Sequence, residues 1–456
     1  MNLEVDVERA VRYIVAKDYK NPKTDIELQE LTNMVIESYK SRAYSFSDYS
    51  SMFLNQGSKV RIVKYYENIY SVENILCQCV KQILDRNFNI KYPNRNKTVR
   101  SLFSYIAAIK QMSHFTIVKF DFKDYFNSVS APYVFEKYIK PRLSQRVELD
   151  LLQEFCYSTK YTYAGLCTSN AISEIIAKTF DDALKGKFSS KGLLFFERYI
   201  DDCILLLNEH VEMDDVKESI NEILTDIFHS QIQCNSCKCK TKFNDNKFRY
   251  LSSKSIALTP YSVDYLGYEF WFSRASKNII NVQYGITEKK RKKYCKRVDK
   301  IIALYKTPSS PDYNNIELLR HRILAFASRE VYINKHFKSN VWKVKGFISN
   351  YGELRYLLNT PLLENDTKTF LQNMIEDCFS RSGVPLPYFL KTSGYNLFEN
   401  LKRNKTLLFV DTIGYDYNSL SSLCQRIGIS PIGADGKRRG YGTLVRDYLI
   451  KIKVGY

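Results

Sequence analysis

The chain has 456 residues, 45% of them hydrophobic, so it is long enough for several domains and can bury a sizeable core. Lys and Arg number 68 against 49 Asp and Glu, a formal net charge of +19, which indicates a polyanionic partner. No run of about 18 uncharged apolar residues occurs, so we expect no membrane-spanning segment. The opening MNLEVDVERAV lacks a hydrophobic leader, so we expect a cytoplasmic protein.

The 11 cysteines are an odd number and lie mostly in apolar segments, which is typical of reduced thiols. Cys234, Cys237 and Cys239, with His229 upstream, form the one cluster to weigh as a metal site. Zinc takes four ligands, usually as two pairs, and no second pair accompanies this CxxC. We therefore expect an ordinary strand or turn here, with zinc as the alternative.

The first 50 residues carry hydrophobic side chains at helical spacing, which predicts helices. The residues at this spacing are Ile26, Leu28, Leu31, Met34, Val35 and Tyr39. Residues 51–275 alternate short β-branched and aromatic runs with helical stretches, a pattern typical of an α+β domain. From about residue 285 the pattern becomes helical, with an amphipathic stripe at Leu371, Met374, Ile375 and Cys378. The segments TPSSPDY (307–313) and SGVPLPY (382–388) predict linkers.

The positive charge is concentrated between residues 289 and 300, where eight of twelve residues are Lys or Arg. A solvated helix face is the simple interpretation of such a run. Because the cationic residues fall on nearly every face of the helix, contact with a phosphate backbone is favoured. The residues assigned to this contact are Lys289, Lys290, Arg291, Lys292, Lys293, Lys296 and Arg297.

Two acidic segments, FDFKDYF (120–126) and RYIDDCILLL (198–207), carry the chemistry. Apolar runs flank Ile200-Asp201-Asp202, which predicts a hairpin with two adjacent carboxylates at its tip. The strand FTIVKFD would present Asp121 at the end of a neighbouring strand. Carboxylates crowded together need a cation, so three of them suit two Mg²⁺ ions, with Mn²⁺ as an alternative. A polar turn is the other interpretation of the Asp-Asp pair alone.

The two segments resemble the palm motifs of right-hand reverse transcriptases, and the resemblance runs from about residue 55 to 275. FDFKDYFNSV resembles the first palm motif, which implies that Asp121 and the backbone carbonyl of Phe122 bind metal. RYIDDCIL resembles the YxDD motif, which gives Asp201 and Asp202 the same role. The resemblance implies an α+β fold with fingers, a palm containing an antiparallel sheet, a helical thumb and a helical C-terminal domain.

Further motifs follow in the order of that family. GLCTSNAISEI resembles the motif that positions template and incoming nucleotide, with Gly165 and Ser169 at matching positions. It departs from the common form at Ala164, where many members have Gln, and at Asn170, where many have Pro. NSCK resembles the late palm motif whose lysine approaches the leaving phosphate, which nominates Lys238.

Two more segments complete the resemblance. YPNRNKTVRSLF resembles the fingers segment, where Lys97 and Arg100 would meet the triphosphate, and basic side chains there suit three phosphates. DYLGYEF resembles the primer-grip hairpin around Leu266 and Gly267. The order of all these motifs is more specific than any single one.

Phe126 lies five residues after Asp121, at the position of the steric gate in the resembled enzymes. A bulky ring under the sugar blocks a 2′-hydroxyl, and a Phe cannot accept a hydrogen bond from it. The resemblance therefore implies that dNTPs are the substrates. A core aromatic residue is the alternative.

The fingers segment, the TSNAISEI variant and the helical extension look most like bacterial abortive-infection and other defence-associated reverse transcriptases. The resemblance implies RNA-directed DNA synthesis in phage defence, with DNA as product and an RNA template that is in some groups a dedicated non-coding RNA. A partner protein or a homo-oligomer is also compatible with it. We expect an N-terminal helical segment (1–50), fingers and palm (51–275), a basic helical thumb (276–345) and a helical C-terminal domain (346–456).

Two alternatives remain open. Within the enzymes, the same site would serve template-independent or protein-primed synthesis, and the 35 tyrosines offer priming hydroxyls that the sequence does not distinguish. Outside them, the chain would be an RNA-binding scaffold or toxin component with a vestigial palm. The three intact carboxylates argue against the scaffold. The last 45 residues predict two helices joined by a basic Gly-containing turn, which bind nucleic acid, pack on the thumb or mediate oligomerisation.

Overall fold

A computed structural model describes residues 3–18, 23–56, 59–229, 238–256, 260–276, 279–306, 313–336 and 339–453. The chain divides into two compact units between Ile256 and Ala257. In the part of the chain that the model describes, no helix combines the length and apolar character needed to cross a bilayer.

The first unit combines helices with an antiparallel sheet and a separate two-stranded hairpin. Its helices are α1 (Leu3–Lys17), α2 (Asp25–Ser41), α3 (Val72–Phe88), α4 (Arg95–Ala108), α5 (Tyr125–Ser128), α6 (Ala131–Val134), α7 (Arg146–Thr159), α8 (Ser169–Ser189) and α9 (Met213–Phe228). Its strands are β1 (Ser50–Gln56), β2 (Lys59–Tyr65), β3 (Thr116–Lys123), β4 (Leu193–Tyr199), β5 (Asp202–Leu207), β6 (Lys242–Phe243) and β7 (Arg249–Ser252).

Two helices, α1 and α2, cover most of the first 50 residues, and α2 begins with a capping box in which Thr24 and Glu27 bond reciprocally. Leu28 and Val35 of the predicted stripe are buried, whereas Ile26 is 72% exposed. Helix α2 therefore packs on a narrower face than the hydrophobic spacing indicates.

The sheet of the first unit has the strand order β4-β5-β3-β6, and β7 also pairs with β3. Strand β3 is buried along nearly its whole length because it lies between β5 on one side and β6 and β7 on the other. Aromatic rings pack beneath it, with Phe122 5.2 Å from Phe180 and 5.9 Å from Phe228 between ring centroids. This core fixes the position of β3.

The second unit combines helices with two three-stranded sheets, β10-β9-β8 and β12-β11-β13. Its strands are β8 (Tyr261–Tyr265), β9 (Tyr268–Ser276), β10 (Ile279–Ile286), β11 (Arg329–His336), β12 (Ser339–Lys345) and β13 (Thr406–Phe409). Its helices are α10 (Glu288–Lys306), α11 (Tyr313–Phe326), α12 (Phe347–Tyr351), α13 (Asn365–Arg381), α14 (Leu397–Lys402), α15 (Tyr417–Arg426) and α16 (Tyr441–Ile452).

The stripe predicted for α13 is confirmed, since Leu371, Met374, Ile375 and Cys378 are all buried. The helices expected from about residue 285 are interrupted by β11, β12 and β13. The antiparallel pair β11–β12 has the alternating, β-branched composition of strands, as in REVYINKH, and β13 joins β11 in parallel. Of the predicted linkers, 307–312 lie outside the described residues, and SGVPLPY follows the end of α13.

Candidate active site

The predicted acidic hairpin is present. Strands β4 and β5 pair antiparallel and close with Tyr199 opposite Asp202, so Ile200 and Asp201 form a two-residue turn. Ile200 has φ +63°, in the left-handed region that a β-branched residue rarely occupies. Its backbone carbonyl accepts a hydrogen bond of 2.9 Å from the Arg198 guanidinium. The turn that presents the two carboxylates is therefore strained and held from below by Arg198.

Arg198 is the centre of a buried ion network. Its guanidinium donates to Asp181 at 2.9 and 3.0 Å and to Glu174 at 3.0 and 2.7 Å, both on α8. The Arg198 side chain is only 3% exposed. Because a cation this deeply buried needs compensation, the two carboxylates of α8 fix the hairpin onto that helix.

The structure brings Asp121 next to the hairpin that carries Asp201 and Asp202. Asp121 of β3 lies directly opposite Asp202 of β5 in the antiparallel register, so both side chains are on one face of the sheet, with Cβ atoms about 4.5–5.5 Å apart. Asp121 is fully buried. Burial also raises the pKa of the Asp201 carboxyl above its ordinary value, against the nearby positive charges of Arg61 and Arg198. Asp121 and Asp202 are thus neighbours across the ladder, and Asp201 precedes Asp202 in the turn.

Asp121 is already engaged by two side chains that the sequence did not nominate. The Asn244 amide donates to its Oδ1 at 2.6 Å, and the Lys247 ammonium forms an ion pair with its Oδ2. In this conformation, no three His, Cys, Asp or Glu side chains of the described residues converge closely enough to hold a metal. The donor set still fits Mg²⁺, because carboxylate oxygens are its preferred ligands and a cation already occupies Asp121.

Phe126, the predicted steric gate, lies just after β3, the strand that carries Asp121. Phe126 is partly buried, 5.7 Å from the ring of Tyr125, and its backbone carbonyl accepts a 2.8 Å hydrogen bond from the Thr162 hydroxyl. Thr162 precedes Gly165 in the chain. The structure therefore connects Phe126 to the loop that carries the glycine motif.

Gly165 has φ +109°, and a Cβ there would overlap the backbone carbonyl of Lys64 on β2. The Lys64 amide donates to the Ala164 carbonyl at 2.8 Å, so this loop lies against the β1–β2 hairpin. Ser169 is buried at the start of α8 and donates its hydroxyl to the Tyr163 carbonyl. Both motif residues shape the backbone here.

The basic residues nominated for phosphate binding occupy different places. Lys97 and Arg100 are exposed and one turn apart on α4, and the charge of Lys97 acts on Glu197 of β4. Lys238 is exposed, and its carbonyl accepts from the Tyr161 hydroxyl at 3.3 Å. The lysine that contacts Asp121 is Lys247.

The cysteine cluster divides between described and undescribed residues. Cys234 and Cys237 lie outside the described residues. The Cys239 sulfur accepts the Ser130 amide at 3.2 Å, and His229 is bonded to the Thr241 carbonyl at 2.6 Å.

Two nominated features lie in the second unit. Leu266 and Gly267, with φ +51° and +86°, form the two-residue turn between β8 and β9. This pattern is a type I′ hairpin turn, which strongly prefers glycine or asparagine at both positions. A Cβ on Gly267 would lie 3.0 Å from the Tyr351 hydroxyl. The tip predicted to be the primer grip is thus tightly packed.

The basic residues of α10 differ in their exposure and in their partners. Arg291 pairs with Glu364 at 3.2 Å and Asp366 at 3.5 Å, with 16% of its side chain exposed. Arg297 lies 5.3 Å from the ring centroid of Tyr294. The exposed members of the predicted contact are Lys289, Lys292, Lys293 and Lys296.

Arg61, Asn244 and Lys247 are the functional candidates that the sequence analysis missed. Arg61 stands in a hairpin that had no motif to mark it. Asn244 and Lys247 stand in NDNK, between two short strand fragments. The signal that would have indicated Asn244 and Lys247 is the polar NDNK segment itself, which interrupts the strand next to β3.

Residues 55–270 match the family model described as "Reverse transcriptase (RNA-dependent DNA polymerase)". This segment contains all three acidic residues and the glycine motif, and it bears out the predicted α+β reverse transcriptase fold. No curated protein matches the chain significantly.

Solved structures of telomerase are similar in part. That of Candida albicans with a TWJ fragment of telomeric RNA has 13% identity, covers 83% of this chain and 61% of its own, and has a TM-score of 0.36. The apo enzyme of Candida tropicalis has 10% identity, covers 93% of this chain and 71% of its own, and has a TM-score of 0.35. The Candida tropicalis enzyme truncated from its C-terminal domain has 14% identity, covers 53% of this chain and 57% of its own, and has a TM-score of 0.33. This chain therefore spans little more than half the length of that truncated telomerase.

Proposed function

We propose that this chain is an RNA-directed DNA polymerase, a nucleotidyltransferase that extends DNA from dNTPs at Asp121, Asp201 and Asp202. The match of residues 55–270 to the reverse transcriptase model supports the proposal. The observation that carries the proposal is the register of β3 with β5, which sets Asp121 directly opposite Asp202. An RNA strand is the proposed template.

Divalent metal, Mg²⁺ or Mn²⁺, would be held by Asp121, Asp201, Asp202 and the Phe122 carbonyl. Two such ions, when bound, supply the charge that activates a 3′-hydroxyl and stabilises the departing pyrophosphate. The chain's own contribution is positioning, since the β3–β5 ladder fixes Asp121 and Asp202 and Arg198 holds the turn beside them.

The remaining nominated residues act on substrate in this proposal. Phe126 excludes a 2′-hydroxyl, while Lys97, Arg100 and Lys238 hold phosphates. Arg61 joins them because its charge already acts on Asp201. Gly165 and Ser169 shape the loop behind the nucleotide.

The nucleic acid would be held by further surfaces. We assign Leu266 and Gly267 to the primer and the exposed lysines of α10 to phosphate backbone. The assignments of 1–50 as a helical segment, 51–275 as fingers and palm, 276–345 as thumb and 346–456 as C-terminal domain belong to the same proposal.

A role in bacterial anti-phage defence, in the cytoplasm and with a dedicated non-coding RNA, is the finer proposal. Its support is the resemblance of PNRNKTVR and TSNAISEI to defence-associated enzymes. A bacterial host carrying the parent gene should plate phage less efficiently than one carrying Asp201→Asn. Equal plating across a broad phage panel would contradict the defence role and leave the polymerase proposal standing.

The polymerase is tested by dNTP incorporation with purified protein, its co-purified nucleic acid and Mg²⁺. We expect labelled DNA from the parent and none from Asp201→Asn/Asp202→Asn. Asp182→Asn is the matched control, because Asp182 is an exposed carboxylate on α8 paired with Lys178. No product from the parent, with RNA still bound, would refute the proposal and favour the scaffold.

The sequence of the product separates the remaining alternatives. Heteropolymeric DNA complementary to the co-purified RNA is the expected result. Homopolymers or short repeats would instead indicate template-independent synthesis. DNA that stays attached to protein after denaturation would indicate a tyrosine primer.

A further inference from the structure

The strand beside Asp121 is broken at one place. Strand β7 pairs with Thr116–Lys119 of β3, and β6 pairs with Phe122 and Lys123. Between β6 and β7 the chain makes a turn at Asp245–Lys247, so the ladder is interrupted opposite Phe120 and Asp121. The backbone N–H of Asn244 donates to the backbone carbonyl of Asp121 at 3.0 Å, which anchors the interruption at that residue.

The interruption aims two side chains at one carboxylate. Asn244 donates through its side chain to Asp121 Oδ1 at 2.6 Å, and the Lys247 ammonium pairs with Oδ2. Irregularities of this kind beside active sites commonly re-aim side chains. One backbone bond and two side-chain contacts of this segment therefore converge on Asp121.

The two partners differ in how easily they leave. Asp121 is fully buried, so its charge needs a partner at all times. Asn244 is fixed by its backbone bond, whereas the Lys247 side chain is 46% exposed and has a long flexible stem. The Lys247 ammonium can therefore move into solvent once another cation compensates the charge of Asp121.

We propose that Lys247 is the resting counter-cation of Asp121, which occupies this carboxylate until a divalent metal displaces it. The inference rests on the proposed function, because it takes Asp121 as a metal ligand. A monovalent ammonium keeps the buried carboxylate compensated between catalytic cycles. Lys247 thus sets the metal concentration at which the site fills.

The test is metal binding, measured with Mn²⁺ alone by electron paramagnetic resonance on the full chain. Lys247→Met keeps the stem and removes the charge, so we expect roughly five-fold tighter Mn²⁺ binding, the strength of a half-exposed ion pair. Lys247→Arg should bind Mn²⁺ no more tightly than the parent. The control is Lys187→Met, which removes a lysine from an exposed ion pair with Glu222.

A second readout is thermal stability. Without metal, Lys247→Met should melt below the parent because Asp121 has lost its cation, and Mn²⁺ should remove the difference. Unchanged Mn²⁺ affinity in a folded Lys247→Met, while the parent still synthesises DNA, would overturn the inference and leave the proposed function intact. Absence of Mn²⁺ binding and of synthesis in both proteins would overturn the two together, with Lys247 then a permanent replacement for metal.

Discussion

Replacing Arg198 tests how the hairpin that carries Asp201 and Asp202 is held. Arg198→Met keeps the volume of the side chain and removes four hydrogen bonds to Asp181 and Glu174 and one to the Ile200 carbonyl. The two carboxylates stay where they are, with 20% and 11% of their side chains exposed. They become buried charges without their cation.

Removing one partner of a buried ion pair costs about 3–5 kcal/mol. The lost bond to Ile200 adds about 1 kcal/mol, beside the roughly 1–2 kcal/mol that a left-handed non-glycine residue already stores in the turn. We therefore expect the free energy of unfolding of Arg198→Met to fall by about 4–6 kcal/mol at pH 7.

Urea denaturation followed by circular dichroism measures the loss, and its pH dependence tests the cause. Burial already raises the pKa of Asp181, and without the charge of Arg198 that pKa rises further. A raised carboxyl pKa destabilises the fold above that pKa and ceases to do so once the group is protonated. The difference between parent and Arg198→Met must therefore shrink as the pH falls from 7 towards 4.

A compensated variant completes the test. Arg198→Met with Asp181→Asn and Glu174→Gln should recover most of the lost stability, because no buried charge remains. This triple variant should synthesise DNA more slowly than the parent, because the Ile200 carbonyl has lost its hydrogen-bond donor. A loss below about 1 kcal/mol for Arg198→Met alone, or one that grows at low pH, would refute the argument.

Three further predictions follow from the same geometry. Phe126→Ala should raise the ratio of ribonucleotide to deoxynucleotide incorporation by about 10- to 200-fold, while Phe126→Tyr keeps the ring and the selectivity; equal ratios would remove the gate. Gly165→Ala should destabilise the first unit by about 1–3 kcal/mol through its overlap with β2, whereas Gly186→Ala, with open space around it in α8, should not. At neutral pH, Cys295 should be alkylated faster than the other cysteines, because hydrogen bonding to Cys378 and the charge of a nearby arginine lower its pKa to about 6. An alkylation rate whose midpoint lies near pH 8.5, followed by mass spectrometry, would contradict this.

Local patterns were enough to predict the acidic hairpin and its neighbour. Apolar runs on either side of Asp201 and Asp202 predict two paired strands, and the run before Asp121 predicts a third. The pattern placed Asp121 on a neighbouring strand but gave no strand order. The register that sets Asp121 against Asp202 is a property of the folded sheet.

The rest depends on contacts between distant residues. Arg198 reaches Glu174 and Asp181 across 24 and 17 positions, and Lys247 reaches Asp121 across 126. No spacing rule joins such pairs. The sequence nominated Lys238 because it stands in a motif, whereas the fold brings Lys247 to the carboxylate.

The parallel pairing of β11 with β13 has a consequence for synthesis on the ribosome. Strand β11 ends at His336, and its partner begins only at Thr406. At about 5–20 residues per second, β11 waits on the order of 4–15 seconds with one edge unpaired. Exposed strand edges recruit other strands, so nascent chains crowded on one messenger are most prone to mispair during this interval. Slow codons between the two strands would lengthen it, and a holding chaperone would be needed most there.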